Sequence, residues 1–246
     1  MDRALYIAAN SARHAELAQA VHAHNLANVS TDGFRARFAD TLADAVDGSG
    51  LPGRVYGVSK SPGFDFTAGT VRETGRVLDV AIDGQGMFTV QLPNGREAHT
   101  RNGAFRVDSA GRLMSEAGYQ VVGGSGPITL PPYSTIVIAK DGSISVRPQG
   151  QGAETIVQVD RLRMVNPEPE DVERTQPGLF TSLGPNLLPF APDVRVQSGA
   201  LESSNVNAVS ELTEILALAR RFEIETRLMS TAEDNDAAAT QLLRIG

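Results

Sequence analysis

The spacing of apolar residues along the 246-residue chain changes from one segment to the next. Near the C-terminus apolar positions lie alternately four and three residues apart, which is typical of a coiled-coil seam. These positions are Ala208, Leu212, Ile215, Ala219, Phe222, Thr226 and Met229, with Val209 and Leu216 beside them. A helix from Ala208 to Leu243 would be about 54 Å long, more than a small domain needs to cover its own core. The pattern therefore predicts a long helix that packs against a partner.

A second helix is predicted from Asp2 to Ala27, a stretch that is rich in Ala and contains no Gly or Pro. Its apolar residues recur at helical spacing and most are small: Leu5, Ala8, Ala12, Ala15 and Leu26. Small side chains allow two helix axes to approach closely, whereas a helix of this kind is not stable alone in water. We therefore expect the two terminal helices to pair.

Turn-forming residues follow the first helix, between Asn25 and Phe34. Asn28 can end a helix in the left-handed region, and Gly33 can supply a positive φ. Asn25 and Asn28 have two interpretations, simple capping or buried polar contacts that fix subunit register. The segment predicts a structured corner beside the terminal helices in the assembled state and a disordered one in the monomer, so we expect Gly33→Val to impair assembly and to leave the β-domain unaffected.

The next stretch predicts a linker. Phe38, Leu42 and Val46 have helical spacing and predict a short helix, which the Gly- and Pro-rich run at 48–53 would end. Further on, Tyr56, Val58 and Phe66 could instead add a strand.

From Val71 onward the period of the pattern is two, as in half-buried strands. Turn signals separate the strands at 93–95, 108–111, 123–127, 131–132 and 141–142. The fold class predicted is α+β, with N- and C-terminal helices paired as a coiled-coil assembly domain and an inserted antiparallel all-β domain. The predicted boundaries are 1–34 for the assembly helix and corner, 35–75 for the linker, 76–200 for the β-domain and 201–246 for the C-terminal helix.

Composition narrows the function. The net charge of −7 and the lack of a basic cluster argue against nucleic-acid binding. There is no run of eighteen apolar residues, so we expect no membrane span, and the start has no apolar signal-peptide core. The absence of Cys excludes disulfides and thiolate chemistry.

Catalytic and metal-binding interpretations are weak. His14 and His22 lie about 80° apart on a helix, and His24 lies another 200° round, so the three share no metal-binding face. Strand alternation and turn chemistry explain the other candidates without catalysis: Asp79 with Asp83, and Ser109 with His99 and Asp108. We predict no enzyme activity, no metal and no cofactor.

Several motifs resemble those of the bacterial flagellar rod and hook protein family. The segment 25–34 is similar to the N-terminal signature NNLANxxTxGF, with His24 in place of the usual first Asn and Asp32 where Pro is common. The segments 79–88 and 100–105 resemble the central β-domain of that family. The segments 201–207, 220–223 and 229–232 resemble its C-terminal motif. The start of the chain, the Phe34-Arg35-Ala36 step and the short length are most similar to the proximal-rod branch.

This resemblance implies a structural subunit of the flagellar basal-body rod, the drive shaft that transmits torque across the periplasm. It implies export, uncleaved, through the flagellar type III apparatus and polymerisation in the periplasm. The implied partners are copies of the chain, other proximal and distal rod proteins, and the export apparatus. A distal-rod subunit and an oligomeric ligand-binding β-module remain the alternatives.

The predicted assembly interface combines both terminal helices with the corner. We expect these termini to be largely disordered in the monomer and to fold on docking against neighbours. The interface residues are Leu5, Ala8, Ala12, Ala15, Asn25, Leu26, Asn28, Gly33, Phe34, Leu212, Ile215, Leu216, Ala219, Phe222 and Met229.

Overall fold

A computed structural model describes residues 2–38, 41–45, 55–59, 63–150, 155–176, 178–184 and 187–245. The chain forms two compact units. The helical unit comprises Met1–Val29, Ala36–Asp65 and Val206–Gly246, and the β-unit comprises Ser30–Arg35 and Phe66–Asn205. With two terminal helices and an extensive antiparallel β-region, the fold is α+β, as predicted.

The helical unit contains two long helices and four short strands in its described residues. These are α1 (Asp2–Ala27), β1 (Arg37–Phe38), β2 (Thr41–Ala45), β3 (Val55–Ser59), β4 (Gly63–Phe64) and α2 (Ala208–Ile245). Strand β1 pairs with β4 and β2 pairs with β3, all antiparallel. The start of α2 is capped by Asn207, whose Oδ1 accepts hydrogen bonds from the backbone N–H groups of Val209 and Ser210.

The short helix predicted at Phe38, Leu42 and Val46 is wrong. Phe38 ends β1, and Leu42 lies in β2 opposite Val58 of β3. Backbone pairing across a hairpin outweighs the helical spacing of three apolar residues, because spacing alone over so short a run does not distinguish helix from strand. Val46 and the run at 48–53 lie outside the described residues.

The β-unit holds the remaining described strands. They are β5 (Val71–Glu73), β6 (Val80–Asp83), β7 (Met87–Gln91), β8 (Glu97–Thr100), β9 (Phe105–Val107), β10 (Leu113–Ser115), β11 (Gln120–Gly123), β12 (Gly126–Pro127), β13 (Tyr133–Ile138), β14 (Ser143–Pro148), β15 (Val157–Arg161), β16 (Met164–Val165), β17 (Val172–Gln176), β18 (Leu179–Ser182), β19 (Arg195–Ser198) and β20 (Ala200–Glu202).

One large antiparallel sheet has the strand order β17-β18-β8-β7-β11-β10-β9, with β16 pairing on β7 and β12 on β11. A three-stranded sheet has the order β13-β14-β15. Strand β19 pairs with β6, and β20 pairs with β5. The last two pairings join the start of the β-unit to its end, so residues far apart in sequence close the unit.

Apolar side chains from both larger sheets and from β6 and β19 form a single core. The rings of Phe88 and Phe105 pack edge to face with centroids 5.1 Å apart. Strand β14 alternates as expected, with Ile144 and Val146 buried. Buried and exposed side chains do not alternate along β6, where Val80, Ala81 and Ile82 are all buried.

Candidate assembly site

Helix α1 contacts α2 within the helical unit. The buried side chains at its centre are Ala8, Ala12 and Ala15, at the spacing predicted from the sequence. Leu5 and Leu26 are half-buried. Because the buried side chains are methyl groups, the contact contributes little apolar area per residue, and polar contacts accompany it.

Two acidic residues of α2 supply these polar contacts. The Ser11 Oγ donates to Glu225 Oε1 at 2.7 Å. His22 Nδ1 lies 2.6 Å from Glu211 Oε2. Charge-assisted hydrogen bonds of this kind are stronger than neutral ones and fix the register between two helices.

The half-buried side of α2 is rotated from the predicted seam. Its members are Glu211, Ile215, Leu218, Ala219, Glu225, Met229, Ala232 and Ala239. Ile215, Ala219 and Met229 are common to both sets, and Phe222 lies at the edge with 39% exposure. By contrast Leu212 and Leu216 are 51% and 56% exposed.

Ala208, Leu212, Leu216 and Thr226 of the predicted seam are therefore exposed in the single chain, and their place in an assembly interface stays a prediction. The physical reason is that Glu211 and Glu225 occupy inward positions, where they bond to residues of α1. A pattern built from apolar residues alone assigns such glutamates to the solvent side, and so places the seam at the wrong angle around the helix.

The opposite side of α2 carries large apolar side chains together with the charged Arg220, Glu223 and Arg227. Its exposed residues are Val209, Leu212, Leu216, Ile224 and Leu228, and we call this set the outer face. At 100° per residue the outer face and the half-buried side are centred about 170° apart. Arg220 and Glu223 lie between the two halves of the outer face. Only one of these two sides is covered by α1, so the other is available to a different protein surface.

Asn25 and Asn28 have different roles. Asn25 is 1% exposed, its Nδ2 donates to the backbone oxygen of Arg37 at 2.7 Å, and its Oδ1 accepts from the Arg37 N–H at 2.9 Å. The same Nδ2 lies 3.2 Å from Glu211 Oε1. Asn28 Nδ2 instead donates to the backbone oxygen of His24 at the end of α1. Asn28 therefore caps the helix, whereas Asn25 is a buried polar contact among α1, β1 and α2.

The second half of the corner, from Ser30, belongs to the β-unit. Gly33 has φ +69°, so the predicted positive φ is confirmed, and its N–H donates to the Glu202 backbone oxygen at 2.7 Å. A Cβ at this position would lie 2.4 Å from the Asn102 nitrogen and 2.5 Å from the Arg101 carbonyl carbon. Phe34 is fully buried. The expectation that Gly33→Val would leave the β-domain unaffected is therefore wrong.

A buried ionic cluster of Glu202, Arg35 and Arg101 lies next to the corner, and the sequence did not predict it. Glu202 accepts hydrogen bonds from Arg35 Nη1 at 2.6 Å, Arg101 Nε at 2.5 Å and the Gly69 N–H at 2.8 Å. The three charged side chains are each at most 3% exposed. Each of the three charged residues lies within or directly after a family motif: Arg35 follows 25–34, Arg101 lies in 100–105 and Glu202 lies in 201–207. The sequence around each residue does not show that the three side chains contact one another.

The described residues include no group of side chains arranged as in a catalytic site. His99 is buried, and burial with the nearby Arg163 lowers its pKa to about 4. Asp79 is held by Arg76. Among the described residues no three His, Asp or Glu side chains are grouped as metal ligands. Neither described helix is long and apolar enough to cross a bilayer.

Comparison with known families covers both units. Residues 81–146 match the model of the flagellar hook protein FlgE/F/G D1 domain. Residues 197–242 match the model of the flagellar basal body rod FlgEFG protein C-terminal region. The first match falls in the β-unit, and the second includes Glu202 and most of α2.

Full-length relatives agree with these matches. The flagellar basal-body rod protein FlgF of Escherichia coli is 42% identical over 99% of both chains. The FlgF of Salmonella typhimurium is 40% identical over 99% of both. A flagellar basal-body rod protein FlgG, from Buchnera aphidicola, is 33% identical over 89% of this chain and 91% of its own. The resemblance seen in the motifs is confirmed: the chain belongs to the flagellar basal-body rod protein family and is a structural subunit of the rod.

Proposed function

We propose that the chain is a subunit of the proximal rod that joins its neighbours through its terminal helices, with the outer face of α2 as the main contact. The neighbours are further copies of the chain and other proximal and distal rod proteins. In this proposal the chain reaches the periplasm through the type III export apparatus. Membership of the proximal rod is supported by the relatives named FlgF, at 42% and 40% identity, against 33% for one named FlgG.

The observation that carries the proposal is the exposure of the outer face. Val209 is 75% exposed, Ile224 59% and Leu228 53%. Covering the exposed half of five such side chains would contribute roughly 5 kcal/mol, at about 1 kcal/mol each. This is enough to drive association when several neighbours each contribute a similar face.

Helix α1 adds a smaller apolar surface. Tyr6 is 65% exposed and Leu17 is 44% exposed, and the two residues lie on nearly the same side of the helix. Ile7 is 61% exposed on the adjacent side. Pairing of α1 with α2 as a coiled-coil assembly domain is part of the same proposal, and the inward contacts at Ser11 and His22 support it.

Leu216→Asp tests the proposal with Thr240→Asp as its matched control. Both positions are exposed and both variants gain one negative charge, but Thr240 lies about 150° round the helix from the centre of the outer face. In a motile bacterium that lacks its own copy of the chain, we expect Leu216→Asp to abolish incorporation into isolated basal bodies. Thr240→Asp should retain most of it.

The helicity of the purified variants separates assembly from folding. We expect the same circular dichroism for both, because a charge on an exposed face costs little in the isolated chain. Equal incorporation of the two variants would refute the outer face as a contact. Incorporation at the distal end of the rod would refute the proximal position.

A further inference from the structure

A cavity of about 340 Å³ lies in the β-unit, next to the buried ionic cluster. Two of its lining side chains are the buried arginines Arg35 and Arg101. Cavities of this size hold small ligands or one or two side chains. Every lining residue belongs to the β-unit: Arg35, Phe66, Gln85, Gly86, Met87, Arg101, Asn166, Pro167, Glu168 and Pro169.

The buried charges beside the cavity do not balance. Arg35 and Arg101 carry two positive charges, and Glu202 carries one negative charge. Burial lowers the pKa of Arg101 from its ordinary value, Glu202 opposes this effect, and Arg35 adds to it. Because a guanidinium stays charged in proteins, one positive charge remains in excess.

The two arginines differ in how fully their N–H groups are used. Arg101 donates to Glu202 and to the backbone oxygens of Ile82, Gly84 and Gly86. Among the described residues, the Arg35 side chain donates only to Glu202, and its buried Nε has no acceptor. A buried N–H without an acceptor is costly, and an anion that entered the cavity could relieve this cost after a small side-chain shift.

The other walls define the shape and polarity of the ligand. Phe66, Met87 and Pro167 provide apolar surface, and the exposed Gln85 and Asn166 provide amide donors. Two exposed carboxylates oppose an anion: Glu168 is in the lining, and Asp83 lies close enough to affect Arg101. A ligand with a single negative charge matches one excess positive charge better than a dianionic group does.

We propose that this cavity is a carboxylate-binding site in which Arg35 and Arg101 hold one carboxylate and the apolar walls contact the chain that carries it. Planar carboxylates match the donor geometry of a guanidinium. The carboxylate could belong to an Asp or Glu side chain on an extended segment or to a free small monocarboxylate. The site lies in the β-unit and does not depend on assembly through the helices.

Titration of the full-length, ¹⁵N-labelled chain at low salt tests the site. The probes are acetyl-Ala-Asp-Ala-amide, its neutral isostere acetyl-Ala-Asn-Ala-amide, and propionate. We expect the Asp peptide to shift the amide resonances of Gly86 and Met87 saturably, and the Asn peptide to bind at least about tenfold more weakly. Tighter binding of the peptide than of propionate would identify the acidic segment as ligand, and the reverse order would identify the free monocarboxylate.

Two matched pairs of variants locate the binding. Gln85→Glu adds a charge in the cavity lining, and Gln197→Glu adds the same charge at an exposed position outside it. Glu168→Gln removes a lining charge, and Glu170→Gln removes a neighbouring exposed one. We expect Gln85→Glu to weaken binding of the Asp peptide about threefold or more and Glu168→Gln to tighten it, while each control leaves it unchanged.

All four substitutions are at exposed positions, so a normal melting curve should accompany each. Equal binding of the Asp and Asn peptides would overturn the proposal. Equal weakening by Gln85→Glu and Gln197→Glu would also overturn it, because the effect would then come from net charge rather than from the cavity.

Discussion

The two units bury their side chains in different ways. In the β-unit Phe88, Phe105, Ile144 and Leu162 are all fully buried, and they belong to one continuous core. In the helical unit the buried residues of α1 are three alanines and Asn25, and no described side chain of α2 is fully buried. The β-unit therefore has a core of large apolar side chains of its own, with Ile156, Leu183 and Leu187 left exposed outside it, whereas the helix pair buries only small side chains.

This difference separates stability from assembly. A unit with a core of large side chains is stable without neighbours, while a helix pair without such a core gains free energy when another surface covers its exposed Leu and Ile side chains. We infer that substitutions in the β-unit change the free energy of unfolding of the isolated chain. Substitutions on the outer face should change association instead.

The largest expected effect is that of Glu202→Gln. This substitution leaves Arg35 and Arg101 buried without a counter-ion, and breaking a buried ion pair typically costs about 3–5 kcal/mol. Chemical denaturation of the full chain, with hydrogen exchange in β7 and β20, should show the loss in the β-unit. Glu73→Gln, at an exposed position of β5, is the control and should be nearly neutral. A neutral Glu202→Gln would mean that the ionic cluster does not hold the β-unit together.

Gly33→Val should cost about 3 kcal/mol. The new Cβ meets backbone atoms of Arg101 and Asn102, and the positive φ adds strain. Gly118→Val isolates the strain, because Gly118 also has a positive φ but has no atom within 4 Å of its added Cβ. Equal melting temperatures for the two variants would show that the backbone contacts at the corner are loose.

Acid should destabilise the β-unit by about 2 kcal/mol between pH 7 and pH 4.5 through His99 alone. The pKa of His99 is about 4 in the folded chain and 6.5 for an unperturbed histidine, as in the unfolded chain. The unfolded chain therefore binds the proton first as the pH falls. The contribution is complete above about pH 6.5 and is lost toward pH 4. His99→Gln should flatten this part of the profile of unfolding free energy against pH. Parallel profiles for the two chains would contradict a neutral, buried His99.

The smallest expected effect is in the helical unit. Glu211→Gln weakens the contacts to His22 and Asn25, which are only partly buried, so the loss should be about 1 kcal/mol. Faster amide exchange in α1, with unchanged exchange in β7, would confirm that the two units respond separately. Faster exchange in β7 as well, or a lower melting temperature of the β-unit, would contradict this separation.

The sequence predicted those features that have a local period or a local chemical cause. Both helices, the hairpin turns and the positive φ of Gly33 follow from spacing and residue type. The side of α2 that faces α1 was not predicted in this way. Glu211 and Glu225 point inward because they bond to residues of α1, which the local sequence of α2 does not show. The same limit applies to Glu202, whose arginine partners are 101 and 167 residues away in sequence.

The long sequence separations between Glu202 and its two arginine partners also determine when the β-unit can complete its fold. A chain that emerges from one end, from a ribosome or from a narrow channel, presents Arg35 and Arg101 long before Glu202. Until the last quarter of the chain has emerged, both arginines lack their counter-ion and β5 and β6 lack β20 and β19. Folding of the β-unit is therefore delayed by topology, since contacts between distant residues form slowly. Closure of the β-unit therefore waits for β19, β20 and Glu202, which are the last of its elements to emerge.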